Sequence, residues 1–230
     1  MRELLNAFID LVFPAKCTFC GCMDDVDSTT NICKKCNIKL PYYKEEYRQF
    51  KGNKRQQHRG FRKFEEVYCL FEYSGAVKKT FVEYKFRGDV TVYKSFAVLM
   101  HGMLEYENAY MDIDFITSVP LSGKKFAQRG YNQSGLLAKR ISKLSDIPYK
   151  EVLARPMQGQ TQSKLTEEER LGIKDRFVAI NEEKIQGNNI LVIDDILTTG
   201  STLDEVSNLL LDKGANKIYA AVFASGRKDL

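Results

Sequence analysis

Residues 190–202 constrain the chain most, because strand, acidic pair, glycine turn and helix follow one another without a break. Ile190, Leu191, Val192 and Ile193 are apolar and mostly β-branched, as in a parallel strand covered on both faces. Asp194 and Asp195 follow at its C-terminal end, and then Thr198, Thr199, Gly200, Ser201 and Thr202. Leu203, Val206, Leu209 and Leu210 resume a helical spacing at once. A loop of this kind offers backbone N–H groups and the positive end of a helix dipole to an anion. Carboxylates just before it accept hydrogen bonds from sugar hydroxyls or sit near a divalent cation. A solvated acidic turn with an ordinary N-cap is the plainer alternative; the ordered string favours an anion site beside a diol site. That reading requires the turn to open on a cavity and the aspartates not to be tied up by internal lysines or arginines.

Bulk composition narrows the class without choosing within it. The chain has 230 residues, 43% of them hydrophobic, enough for one α/β core and a small appendage. A net charge of +5 gives a mild bias toward anionic partners. No apolar run reaches the ~18 residues that cross a bilayer, so no transmembrane segment is expected. Leu4, Leu5, Phe8, Ile9 and Val12 form an amphipathic helical stripe that stops before Pro14. It lacks a small-residue cleavage site, which argues against a secretory signal, and it reads as a helix packed on the neighbouring domain.

Four of the six cysteines form two knuckles, Cys17 with Cys20 and Cys33 with Cys36, separated by twelve residues. Two such knuckles converge on one tetrahedral ion, and four thiolates leave no open position for catalysis. A structural zinc ribbon is therefore expected, with free dithiols or a redox switch as the alternative. Cys22 is a competing thiol. Gly21 and Asn37 stand where a left-handed turn is expected. Cys69 reads as a buried core thiol. Thiol chemistry of this kind suits a reducing compartment, so a cytoplasmic location is expected.

Residues 42–66 differ in texture. Arg55, Arg59 and Arg62 and several lysines alternate with Tyr43, Tyr47, Phe50, Phe61 and Phe64. Cations tracking phosphates, with aromatics stacked on bases, is how sequence-tolerant single-strand binding works. Glu45, Glu46, Glu65 and Glu66 dilute the charge, and an interdomain linker reads equally well. His58 has no matching ligand partner and His101 reads as an ordinary helix residue. The expected organisation is a helix and ribbon over 1–41, a linker over 42–66 and an α/β domain over 67–230.

Within that domain, strands are expected over residues 67–73, 115–119, 177–180 and 215–223, with helices over 77–88 and 93–106. Residues 121–132 read as a loop at the C-terminal edge of a parallel strand, where ligands bind in open α/β sheets. Lys124, Lys125 and Arg129 there can meet a pyrophosphate, whereas a merely solvated loop is the alternative. Arg155 is expected to join them at the pyrophosphate, and it precedes a polar stretch, residues 156–169, that reads as a lid.

The acidic pair with the Thr-rich turn resembles the phosphoribosyl-pyrophosphate (PRPP) motif of type I phosphoribosyltransferases. The resemblance implies a parallel sheet flanked by helices. It assigns Asp194 and Asp195 to the ribose hydroxyls, Thr198, Thr199, Gly200, Ser201 and Thr202 to the 5-phosphate, and Mg²⁺ to the pyrophosphate. Further motifs extend it: the N-terminal helix and ribbon, Tyr73 to Gly75, Lys85 to Asp89, Val119-Pro120, Arg129 to Gln133, and Arg155 with Thr161 and Gln162. Together the chain resembles the ComF-type family, phosphoribosyltransferase-like proteins associated with bacterial competence. That implies a role in DNA uptake, with PRPP or a related compound as ligand, and single-stranded DNA and competence proteins as partners. Either a transferase or a non-catalytic nucleotide- or DNA-binding factor satisfies it. One departure stands out: Arg170 is followed by Ile173 where the family usually has Asn.

Overall fold

The structure, a computed structural model, describes residues 15–44, 64–86, 92–156 and 177–227. The expected N-terminal helix, Arg55, Arg59 and Arg62 with His58, and the lid segment carrying Thr161, Gln162 and Arg170 lie outside these residues.

A four-stranded parallel sheet forms the centre. Its strands are β3 (Glu66–Glu72), β4 (Phe115–Ser118), β7 (Asn189–Leu197) and β8 (Lys217–Ser225), in the spatial order β3-β8-β7-β4. Side chains alternate across a strand, and here both faces are apolar. Leu191 and Ile193 face one core with Leu70, Ala221 and Phe223. Ile190 and Val192 face the other with Val67, Cys69, Ala220 and Val222. The β-branched run read from the sequence is therefore a central strand buried on both sides.

Helices α2 (Gly75–Phe86), α3 (Val92–Tyr106) and α5 (Gln133–Ser145) contribute to the first core through Phe81, Tyr84, Phe96, Met100, Leu137 and Ile141. Phe96 and Phe223 stack there with centroids 3.9 Å apart. Helix α6 (Ser201–Asp212) covers the opposite face with Leu203, Val206 and Leu210. Between β4 and α5 runs a short helix, α4 (Gly123–Arg129), where the sequence reading has a loop. Ser122 caps it, its Oγ accepting from the Lys125 N–H at 3.4 Å. Strands β5 (Leu153–Ala154) and β6 (Val178–Ala179) form a separate antiparallel pair.

Both outer edges of the sheet are covered. Beside β3, the Tyr43 N–H donates to the Leu70 carbonyl and the Glu72 N–H to that of Pro41. Beside β4, the Ile116 N–H donates to the Pro148 carbonyl and the Lys150 N–H to that of Ile116.

The cysteine ribbon packs on the first core. It comprises the hairpin β1 (Val26–Asp27) and β2 (Ile32–Cys33) followed by α1 (Lys34–Lys39). Asp27 Oδ1 accepts from the N–H groups of Thr29 and Thr30 and from Thr30 Oγ1, which closes the hairpin and holds its carboxyl below the usual range. Gly21 is left-handed as expected, but Asn37 is not. It lies inside α1, because Cys33 caps that helix with its sulfur accepting from the Cys36 N–H. The left-handed positions fall instead at Asp25 and Asn31. Phe19 bridges ribbon and domain, 6.1 Å from both Phe71 and Phe96. Thr18 Oγ1 donates to Ser95 Oγ at 2.9 Å.

Candidate functional site

The C-terminal ends of β4 and β7 bring two of the expected groups to one edge. On β7 the acidic pair lies within the strand, since β7 continues to Leu197 before the chain bends. Gly200 then adopts φ +90° and stands as the N-cap of α6 with no side-chain capping bond. Only glycine enters that region without cost. The start of the helix faces the turn, and its Ser201 N–H donates to Thr199 Oγ1 at 3.4 Å. Thr198, Thr199 and Ser201 are exposed and Thr202 half-buried. The hydroxyls of Thr199 and Ser201 lie 3.1 Å apart. The Arg227 guanidinium donates to the Thr199 carbonyl at 3.4 Å, and the Gly226 N–H to that of Leu197 at 3.0 Å. These contacts attach the turn to the end of β8.

The two aspartates diverge, as neighbours on a strand do. Asp194 is 8% exposed. Its Oδ1 accepts from Ser134 Oγ at 2.9 Å and from the Asp195 N–H at 2.8 Å. Burial, followed by the neighbouring Asp195 charge, pushes its pKa up to about 7. Asp195 is partly exposed. Its Oδ1 accepts from the Ile196 N–H at 2.6 Å, and its Oδ2 pairs with Lys85 Nζ at 2.9 Å. The sequence reading required aspartates not tied up by internal cations, and for Asp195 that requirement fails. Tyr73 and Tyr84 also sense the Asp195 charge, although burial does most to raise their pKa values.

The expected pyrophosphate cations separate. Lys124 and Lys125 are exposed on α4, at the end of the strand beside β7. Arg129 is half-buried and donates to Gln133 Oε1 at 3.3 Å. Arg155 lies with its guanidinium 5.0 Å over the Phe177 ring. Sequence reasoning missed Lys85 as a partner of Asp195 and Ser134 as a partner of Asp194. Lys85 opens one of the stretches carrying the family resemblance and Ser134 directly follows another, but nothing local links either residue to a strand over fifty positions away.

In the ribbon, the sulfurs of Cys17, Cys20, Cys33 and Cys36 all lie within 4.8 Å of one another. Cys20 and Cys33 are separated by 3.7 Å. Zinc–sulfur bonds of about 2.3 Å give a tetrahedron with edges of about 3.8 Å, so the donor set fits a metal such as zinc. Cys22 is outside this four-sulfur set, with its thiol directed to the Asp24 carbonyl. Its backbone N–H is the main influence drawing Cys20 down to about 6, toward the thiolate a metal requires.

Comparison with known proteins points the same way as the motifs. Residues 127–230 match the phosphoribosyl transferase domain. The chain is 32% identical over 146 residues to competence protein ComFC of Bacillus subtilis, covering 63% of this chain and 58% of that one. It is 33% identical over 150 residues to ComFC of Streptococcus pneumoniae, covering 65% and 64%. It is 28% identical over 204 residues to competence protein F of Haemophilus influenzae, covering 86% of each. Together these matches support a ComF family protein. Its fold is of the type I phosphoribosyltransferase-like class, and the relatives it matches are competence proteins. The matches span about three fifths of the Bacillus and Streptococcus relatives. No helix among the described residues is long and apolar enough to cross a membrane.

Proposed function

We propose that this ComF protein binds a phosphoribosyl compound, PRPP with Mg²⁺, at the end of β7 and acts in DNA uptake, with zinc held by the ribbon in a structural role. The observation that carries the ligand reading is the left-handed Gly200 turn, which sets exposed hydroxyls at the start of α6, where the N-cap residue has no side chain. The 5-phosphate then accepts from the turn's N–H groups and from Thr199, Ser201 and Thr202. Asp195 reaches the ribose hydroxyls. Asp194, buried behind it, orients Ser134 and the strand end.

As a transferase, the site would hold the sugar still while its bond to pyrophosphate opens toward an oxocarbenium-like state. Bound with the pyrophosphate, Mg²⁺ supplies neutralisation of charge on the departing oxygens. Lys124, Lys125 and Arg129 add positive charge on the same side. Fixed positioning of the ribose by the turn and Asp195 supplies the rest.

Thermal denaturation tests this reading. PRPP with Mg²⁺ at 100 times its Kd should stabilise the protein by about 2.7 kcal/mol. Asp195→Asn should abolish that shift; an unchanged shift would remove the ribose role. Gly200→Ala should destabilise the protein by about 1–2 kcal/mol, the cost of a side chain at positive φ. It should also suppress the response to PRPP. Wild-type stability with an intact response would show that the turn does not cradle a phosphate.

A second reading, single-stranded DNA binding, is favoured by Phe126, 50% exposed on α4 beside exposed Lys124 and Lys125. An exposed aromatic among cations suits a base stacked above its phosphates. Affinity for an oligonucleotide should then fall steeply with salt and with Phe126→Ala. Salt-insensitive binding excludes it.

A further inference from the structure

Lys85 comes from the last turn of α2, and Asp195 from the end of β7. Their side chains are 19% and 17% exposed, so this pair is largely withdrawn from solvent. The Lys85 ammonium also lies 4.6 Å over the Phe81 ring, deep in the first core. Packing of α2 therefore sets the ammonium's position, and the position in turn decides what else can approach the carboxylate. Asp195 Oδ1 is engaged by the Ile196 N–H and Oδ2 by Lys85. Asp194, the adjacent acid, is buried and engaged by Ser134 and the Asp195 N–H.

A divalent cation needs hard oxygen donors with open lone pairs. Here the more accessible carboxylate already carries a full positive charge 2.9 Å from Oδ2. A metal at ~2.1 Å from that oxygen would meet strong repulsion from the ammonium in a site of low effective dielectric. The acidic pair so balanced is a poor place for a bare metal ion, despite its sequence.

We infer that Lys85 is a built-in counter-ion that excludes free divalent cations from the Asp194–Asp195 pair, so that a metal enters only together with an anionic ligand. The first half stands on the ion pair alone. The second rests on the phosphoribosyl reading above: the pyrophosphate oxygens give the Lys85 ammonium another partner and release Asp195 Oδ2 toward the ribose. Lys85 is thus a positioning residue, acting through Asp195.

Mn²⁺ titration, followed by the electron paramagnetic resonance of the free ion, tests the inference on the full chain with its ribbon loaded. Wild-type protein without PRPP should show no site at the pair. Lys85→Met, which keeps the stem over Phe81 and removes the charge, should bind Mn²⁺ at least about tenfold more tightly. Lys85→Gln serves if the methionine variant does not fold. Lys85→Arg should retain exclusion, and adding Asp195→Asn to Lys85→Met should cancel the gain. A wild type that binds Mn²⁺ as tightly as the variants overturns the inference, as does a gain that survives Asp195→Asn. A gain of Mn²⁺ binding in Lys85→Met without any response of wild type to PRPP keeps the counter-ion and rejects the phosphoribosyl ligand.

Discussion

Removing the zinc proposed for the ribbon, or making Cys33→Ser, should lower the melting temperature of the whole protein by roughly 10 °C rather than merely loosen a peripheral module. Metal closure is worth about 10–16 kcal/mol in isolated zinc fingers, so the hairpin and α1 are not expected to hold without it. Their loss reaches the domain because Cys17, Ile32, Cys33 and Leu40 belong to the same buried cluster as Phe71 and Phe96. Uncovering that face costs about 3–5 kcal/mol, on the scale of a large core truncation, and each kcal/mol shifts Tm by about 2–4 °C in a chain of this size. Calorimetry before and after a strong chelator, with metal content measured in parallel, checks it. Recovery on adding zinc should be complete. An unchanged transition in metal-free protein would show that the ribbon is stable and docked by itself.

Asp194→Asn should make the unliganded protein more stable at pH 8 and flatten its pH dependence. The sign follows from proton binding. Folding raises the Asp194 pKa from 3.8 to about 7, so between those values the native state holds more protons than the unfolded chain. Stability contributed by the protonated carboxyl is then fully present below about pH 4 and lost as pH rises through 7. At about 1.4 kcal/mol per pKa unit, the full effect is bounded at about 4 kcal/mol. Asparagine keeps an oxygen for Ser134 Oγ and the Asp195 N–H, and removes the buried charge. Urea denaturation from pH 4 to 8 measures the difference. Parallel curves for the two proteins would mean that Asp194 ionises in the fold as easily as in water.

Much of this was legible in residues 190–202, because a doubly buried strand, a glycine turn and an amphipathic helix each leave a local signature. The cysteine knuckles were legible for the same reason: their spacing is the geometry. The aspartates were not. Sequence places Asp194 and Asp195 side by side, but strand alternation sends one inward to Ser134 and leaves the other to Lys85. Those partners depend on which faces α2 and α5 turn to the sheet, a property of tertiary packing. Residues 121–132 read as a loop because α4 is only seven residues long and buries none of its side chains, so no apolar period betrays it; Ser122 at the start and Gly130 in the left-handed region at the end are the caps that mark it.

The covered margins of the sheet also restrict the company this protein can keep. With residues 41–43 laid along one flank and residues 148–150 along the other, a partner's extended peptide finds no open ladder to join at either place. Recognition there must use side chains on helices and turns, and strand addition is obstructed where those segments lie.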